Sequence, residues 1–167
     1  MRALDDRPYQ LFDVERIHLH PRSRSIARST GHTRGIIDLQ MSDTTTRGIR
    51  VQVRSEYLPK RSAPREQQYL FAYHIRVSNQ GDETAQLVSR EWIINDSDGH
   101  VERVNGPGVV GEQPVLGPGE AFEYTSFCPL KTSVGSMHGS YQMVTAGGEA
   151  FDAVIAPFTL ATPNSLN

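Results

Sequence analysis

From Gly48 onward, apolar and polar residues alternate along the chain with a period of two. This alternation is typical of β-strands that bury one face and expose the other. The stretch GIRVQVRSEYL, residues 48–58, places Ile49, Val51 and Val53 on one face. In QYLFAYHIRVSN, residues 68–79, the apolar side chains stay in register from Tyr69 to Val77. Both stretches are therefore predicted to form strands.

The rest of this region continues the pattern. Residues 85–104 read as two strands joined at a turn over residues 96–99, where Asp, Ser and Gly favour a tight turn. Residues 119–127 predict another strand, and residues 139–160 predict a hairpin that turns at 146–148. After residue 45, no apolar pattern of helical spacing runs beyond two turns. These signals predict an antiparallel β-sandwich of about seven short strands.

Residues 1–45 have a different texture. HPRSRSIARSTGHTRG, residues 20–35, combines scattered Arg and Ser with Pro21 and Gly31 and shows no apolar period. Such a segment buries too little apolar surface to offset its ordering entropy. We therefore expect residues 1–45 to be a disordered or mis-started extension and residues 46–167 to form the domain. Met41 directly precedes the patterned region, and we expect the functional chain to start there rather than at Met1.

Composition narrows the class of protein. A length of 167 residues suits one domain, and a single cysteine, Cys128, excludes an internal disulfide or a multi-cysteine zinc site. No apolar run reaches the ~18 residues of a membrane span, and no secretory signal is visible, so we predict a cytoplasmic protein without a membrane partner.

Residues 1–40 carry seven arginines and five acids, whereas the remainder carries ten cations and fourteen acids. This mildly acidic body argues against nucleic acid as a partner.

The stretch NGPGVVGEQP, residues 105–114, spaces Gly106, Gly108 and Gly111 as G-x-G-x-x-G. A dinucleotide fingerprint requires a helix after the glycine loop, but Pro118 and its neighbours Gly117 and Gly119 prevent one of useful length. Two interpretations remain. The glycines permit positive φ angles in a connection between sheets, or their amides form an anion-binding loop.

In the second interpretation, Arg90 or Arg103 would supply supporting charge. Arg90 and Trp92 alternate along one predicted strand and share a face. Trp92 is expected to anchor the core. Arg90 could stack near it, face a carboxylate or belong to an interface.

Other candidate sites are weaker. Cys128 could act as a nucleophile if His74 or His138 approached it, but a lone cysteine among apolar neighbours is more often a core residue. DSDGH, residues 96–100, offers oxygen atoms to a cation, yet its spacing does not fit an EF-hand loop and a turn explains it better. We predict no catalytic residue, no metal site and no cofactor.

Three long motifs point to a known family. They are SNQGD with REWII in residues 78–94, GPGVVGEQP in residues 106–114, and CPLKTSVGSMHGSYQM in residues 128–143. Across these motifs, and from Gly48 to Asn167 as a whole, the chain closely resembles the ApaG family, also called the DUF525 domain. Residues 1–40 lie outside the resemblance.

The resemblance implies an all-β fold, a fibronectin type III or immunoglobulin-like antiparallel β-sandwich of about seven to eight strands. Bacterial members have been linked to cobalt resistance and magnesium efflux, and eukaryotic proteins carry the domain as an apparent interaction module. We therefore predict a non-enzymatic binding module with a protein partner and no assigned oligomeric state. The alternative is a nucleotide- or pyrophosphate-binding protein that uses the loop of Gly106, Gly108 and Gly111.

Overall fold

The computed structural model describes residues 39–166. These residues form strands joined by turns and two short 3₁₀ turns, Pro59–Arg61 and Pro64–Glu66. The strands are β1 Met41–Thr46, β2 Ile49–Tyr57, β3 Tyr69–Asn79, β4 Ala85–Asp96, β5 Val101–Pro107, β6 Val115–Leu116, β7 Ala121–Leu130, β8 Val134–Thr145 and β9 Ala150–Ala161.

Two antiparallel sheets stack into a sandwich. One sheet has the strand order β1-β2-β3-β7, and the other has the order β5-β4-β8-β9 with β6 paired to β4. The predicted fibronectin type III-like sandwich is confirmed. The described residues form nine strands instead of seven to eight, because β1 (MSDTTT) and the two-residue β6 carry no apolar alternation that would reveal them.

The predicted boundary between extension and domain, after residue 45, falls inside β1. β1 pairs with β2 along its whole length, from Met41 opposite Arg54 to Thr46 opposite Ile49. Backbone pairing and a surface ion pair stabilise this polar strand: the Arg50 guanidinium donates to Asp43 at 2.8 Å, and this hydrogen bond lowers the pKa of Asp43. Residues 1–38 of the predicted extension lie outside the described residues.

The core lies between the inner faces of the two sheets, as the alternation predicted. Trp92 is fully buried at its centre, which confirms its expected role. Its ring meets Tyr73, Tyr141 and Phe158 edge to face, with centroid distances of 5.4, 6.3 and 6.0 Å. Aromatic pairs favour this geometry because the positive edge of one ring faces the negative face of another.

One side of the sandwich is closed by direct contacts between the sheets. Ser55 Oγ on β2 donates to the Thr159 carbonyl on β9 at 2.6 Å, and the Val154 amide donates to Thr46 Oγ1 on β1 at 3.1 Å. On the other side, β5 and β7 are the outer strands of their sheets. The features that follow lie along β5 and at the end of the β3–β7 pair.

Candidate functional site

The glycine-rich stretch, residues 105–114, runs along the edge of one sheet. Residues 105–107 belong to β5, and Val115–Leu116 form β6. Both strands pair with β4, so residues 108–114 make an excursion along one edge of the five-stranded sheet. The chain crosses to the other sheet only after β6, on its way to β7. The motif therefore belongs to a local excursion of that edge.

The centre of this excursion is a two-residue hairpin turn. The Val109 amide donates to the Glu112 carbonyl at 2.8 Å, and the Glu112 amide donates back to the Val109 carbonyl at 2.9 Å. The two residues between them, Val110 and Gly111, have φ angles of 44° and 78°. Positive φ at both central positions is the requirement of a type I′ turn. We call residues 108–112 the glycine hairpin.

Close packing excludes a side chain at one motif glycine, Gly108, and leaves little room for one at Gly106. Gly108 has φ of 56°, and a Cβ atom there would overlap the Glu112 carbonyl oxygen. Gly106 lies under the Arg90 guanidinium, and a Cβ atom would come within 3.2 to 3.4 Å of three guanidinium atoms. Gly111 has open space around it and serves the turn through its φ angle.

Arg90 lies beside the glycines because it is the direct partner of Gly106 in the β4–β5 ladder. It also follows a β-bulge, since the register of β4 against β8 shifts between Leu87 and Ser89. Its Nη1 donates to the carbonyls of Pro107 at 3.1 Å and Gly108 at 2.8 Å. The sequence left the role of Arg90 open. In the structure its guanidinium binds the Pro107 and Gly108 carbonyls.

Most amides of the glycine hairpin are already paired. Gly108 N donates to the Val88 carbonyl at 2.8 Å, and Val109 and Glu112 donate to each other. The Gln113 side chain also donates to the Val88 carbonyl, at 2.8 Å. The remaining hairpin amides are those of Val110 and Gly111. An anion at this loop would meet fewer amides than the spacing of glycines suggests.

Arg103, the second cation predicted to support the loop, is not brought together with the glycines. It lies on the exposed face of β5 in register with Ile93. Its Nη1 lies 3.7 Å from Glu91 Oε1, and its side chain is 63% exposed. An ion pair as exposed as this contributes little to stability.

Behind Arg90, the inner face carries polar groups that are kept neutral. The hydroxyls of Tyr124 and Tyr141 are 2.5 Å apart in the core. Burial raises the pKa of both phenols well above its ordinary value, while the nearby Arg90 charge lowers it to a smaller extent. Burial also raises the pKa of the Cys128 thiol far above its usual range. A buried thiol of this kind is unreactive, which matches the core interpretation of Cys128.

The 96–100 segment forms the predicted turn. Asp96 Oδ1 accepts hydrogen bonds from the amides of Asp98 at 3.0 Å and His100 at 2.9 Å. His74 lies on β3, where Nδ1 is 2.7 Å from Thr125 Oγ1. Within residues 39–166, no group of three or more His, Cys, Asp or Glu side chains could hold a metal ion.

Sequence reasoning missed the free edge of β5. The hydrogen bonds Asp96 N to His100 O, 3.0 Å, and Gly108 N to Val88 O, 2.8 Å, flank an unbroken β4–β5 register. In an antiparallel ladder, the backbone groups of alternate residues bond to the neighbouring strand. The amides and carbonyls of the even-numbered residues of β5 therefore face β4. The amides and carbonyls of Val101, Arg103 and Asn105 consequently point away from the sheet. This edge is free because β5 is the outer strand of its sheet, and the alternation of apolar residues does not reveal strand order.

Comparison with known proteins identifies the family. The model of the ApaG domain, DUF525, matches residues 59–145. Protein ApaG of Anaeromyxobacter sp. (strain K) is 59% identical over 127 residues, covering 76% of this chain and 100% of that protein. The chain belongs to the ApaG family. Protein ApaG of Azotobacter vinelandii (strain DJ / ATCC BAA-1303) is 53% identical over 119 residues, covering 71% and 94% of the two chains.

A solved ApaG-family structure agrees with the architecture. The crystal structure of the Bordetella pertussis ApaA protein matches with a TM-score of 0.69 and 50% identity, covering 70% of this chain and 95% of that one. The names of the ApaG relatives state no enzymatic activity. No helix among residues 39–166 is long and apolar enough to cross a membrane.

Proposed function

We propose that this ApaG-family protein is a non-enzymatic binding module that recognises a protein partner through the outer edge of β5. The observation that carries the proposal is the free edge itself, with its outward amides and carbonyls at Val101, Arg103 and Asn105. A partner segment in extended conformation can add to such an edge as a further strand. Main-chain hydrogen bonds then supply affinity, and alternate side chains supply specificity.

The surroundings of the edge favour a specific partner. Val101 at one end of β5 is 54% exposed and Val115, in the neighbouring β6, is 57% exposed, so apolar contacts are available along the same side of the sheet. Arg103 adds a positive charge between them. The glycine hairpin is held beside β5 by Arg90 and Gln113. A rigid edge loses little conformational entropy on binding.

A proline at Asn105 tests the proposal. Asn105→Pro removes one outward amide and leaves the β4–β5 ladder intact, since proline is tolerated on an edge strand when its nitrogen faces solvent. Asn105→Ala is the matched control because it removes the side chain and keeps the amide. We expect affinity capture from an extract of the source cells to lose its partner with Asn105→Pro and to retain it with Asn105→Ala. Capture that is equal for both variants would contradict an edge-strand mode.

The alternative function, binding of a nucleotide or pyrophosphate by the glycine loop, has weaker support. The amides of Gly108, Val109 and Glu112 are engaged within the protein, and the Arg90 guanidinium donates to carbonyls. Triphosphate sites ordinarily add a lysine, a metal ligand or a helix terminus to their loop amides. Calorimetry with pyrophosphate, with and without magnesium, tests this alternative directly. Micromolar binding that is lost on substitution of Gly111 would favour it.

A further inference from the structure

The four-stranded sheet carries a pocket at the end of the β3–β7 pair. Its volume is about 470 Å³, which lies within the usual range for small-molecule sites. The walls come from the β2–β3 connection, the start of β3 and the end of β7. We call residues 58–68, LPKRSAPREQQ, the basic connection. It holds Lys60, Arg61 and Arg65 against one acid, Glu66.

The charges of the basic connection contrast with those elsewhere. Lys60, Arg61 and Arg65 are exposed, and none of them forms an ion pair within the described part of the chain. Other arginines do form ion pairs, at N–O distances of 2.5 to 3.7 Å: Arg47 with Glu149, Arg50 with Asp43, Arg76 with Glu123 and Arg103 with Glu91. These three cations therefore lie together beside the pocket, although residues 41–167 as a whole carry ten cations against fourteen acids.

The backbone of the basic connection is fixed without using these cations. Ser62 Oγ donates to the Leu58 carbonyl at 2.8 Å and accepts from the Leu70 amide at 2.9 Å. Ala63 and Gln68 form a β-bridge around the second 3₁₀ turn. Gln67 ends that turn in the left-handed region with φ of 54°. The pocket wall is thus preorganised, which lowers the entropic cost of binding.

The lining combines charge with apolar surface. Arg61 lines the pocket, and its guanidinium carbon lies 5.0 Å from the centre of the Phe127 ring. A guanidinium stacked on a ring keeps its planar edge available for a phosphate or carboxylate. Lys131 adds a second cation and Glu66 an opposing carboxylate, while Leu70 and Pro129 give the wall an apolar part. This arrangement suits a molecule with one anionic end and an apolar body.

We propose that this pocket binds a small organic anion, with its phosphate or carboxylate on Arg61 and its apolar body against Leu70 and Pro129. Its lining shares no residue with β5 or with the glycine hairpin. In this proposal, the anion is bound by the basic connection and not by the glycine hairpin.

Titrations followed by two-dimensional ¹H–¹⁵N NMR of the full chain test the proposal. The probes are phenyl phosphate and benzoate, with inorganic phosphate and the neutral benzyl alcohol as comparisons. We expect saturable shifts of the amides of residues 67–70 and 131 with at least one aromatic anion at about 1 mM. Which of the two anions binds more tightly distinguishes a phosphate site from a carboxylate site. Binding by neither anion, or equal shifts with benzyl alcohol or with inorganic phosphate alone, would overturn the proposal.

Matched charge variants locate the site. Arg61→Gln should weaken binding about tenfold, because a charge-assisted hydrogen bond is lost. Arg61→Lys should retain part of the affinity. Arg47→Gln removes the same charge at the other end of the four-stranded sheet and should leave the affinity unchanged. If Arg61→Gln and Arg47→Gln bind the anion equally well, with unperturbed amide spectra elsewhere, the proposed pocket is wrong.

Discussion

The glycine hairpin and the basic connection are both irregular segments between strands, but they use their polar groups in opposite ways. In the hairpin, three amides and the Arg90 guanidinium are engaged by carbonyls of the protein itself. In the basic connection, the Ser62 hydroxyl bonds the Leu58 carbonyl and the Leu70 amide. Lys60, Arg61 and Arg65 make no ion pair within the described residues. A conspicuous glycine motif can therefore serve geometry, whereas a plain loop can present its charges to a ligand.

Substitution of Gly108 should give the largest effect. Gly108→Val should lower the free energy of unfolding by about 3 kcal/mol or more, because a β-branched residue is strained at φ of 56° and its Cβ overlaps Glu112. Chemical denaturation measures this loss. Gly111→Asn is the matched control, since Gly111 has open space and asparagine tolerates positive φ. The geometric account of the motif would fail if both variants were equally stable.

Arg90 should come next. Arg90→Lys should cost about 1–3 kcal/mol of unfolding free energy, because lysine cannot reproduce the planar guanidinium that lies over Gly106 and reaches two carbonyls. Thermal and urea denaturation provide the measurement.

The control for Arg90 is Arg103→Lys, on the adjacent strand β5. Its ion pair with Glu91 is long and exposed, so the change should stay within about 0.5 kcal/mol. A similar loss for the two variants would show that Arg90 acts only as one more surface charge. The pair therefore separates a structural arginine from a surface arginine on neighbouring strands.

Local alternation predicted the sandwich and its core because the inward positions of β2, β3, β7 and β8 are apolar at period two. Trp92 could be placed in the core for the same reason. Strand β1 could not be predicted, because MSDTTT has no apolar face and is stabilised by pairing with β2. The role of Arg90 remained open because it depends on pairing with Gly106 and on carbonyls at the end of the neighbouring strand. The β5 edge and the pocket of the basic connection depend on strand order, which no single stretch of sequence displays.

Ser62 tests the other half of the comparison. Ser62→Ala removes a donor and an acceptor that join Leu58 to Leu70, and should cost about 1 kcal/mol of unfolding free energy. Anion binding at the pocket should weaken as well, because the wall that carries Arg61 loses its fixed position. Calorimetric melting and the NMR titration measure the two effects. Ser62→Thr keeps the hydroxyl and should restore both, so failure of that rescue would contradict the assigned role.

The smallest effect concerns Glu102, on β5 beside the inner face. Burial raises its pKa, and the nearby His100 lowers it to a smaller extent. A carboxyl group with a raised pKa in the folded state contributes stability at low pH and loses it as the pH rises through that pKa. Glu102→Gln should therefore stabilise the protein at about pH 7, and the advantage should vanish near pH 3. The gain should be small, roughly 0.5 kcal/mol or less, because solvent screens this partly exposed carboxylate.

Urea denaturation of both proteins across this pH range measures the difference. The control is Glu91→Gln, which removes a carboxylate 3.7 Å from the Arg103 guanidinium and should not stabilise the protein at pH 7. If Glu102→Gln were destabilising at neutral pH, the carboxylate would be held by a favourable partner. Charge would then be tolerated beside the inner face of β5, and the contrast with the basic connection would weaken.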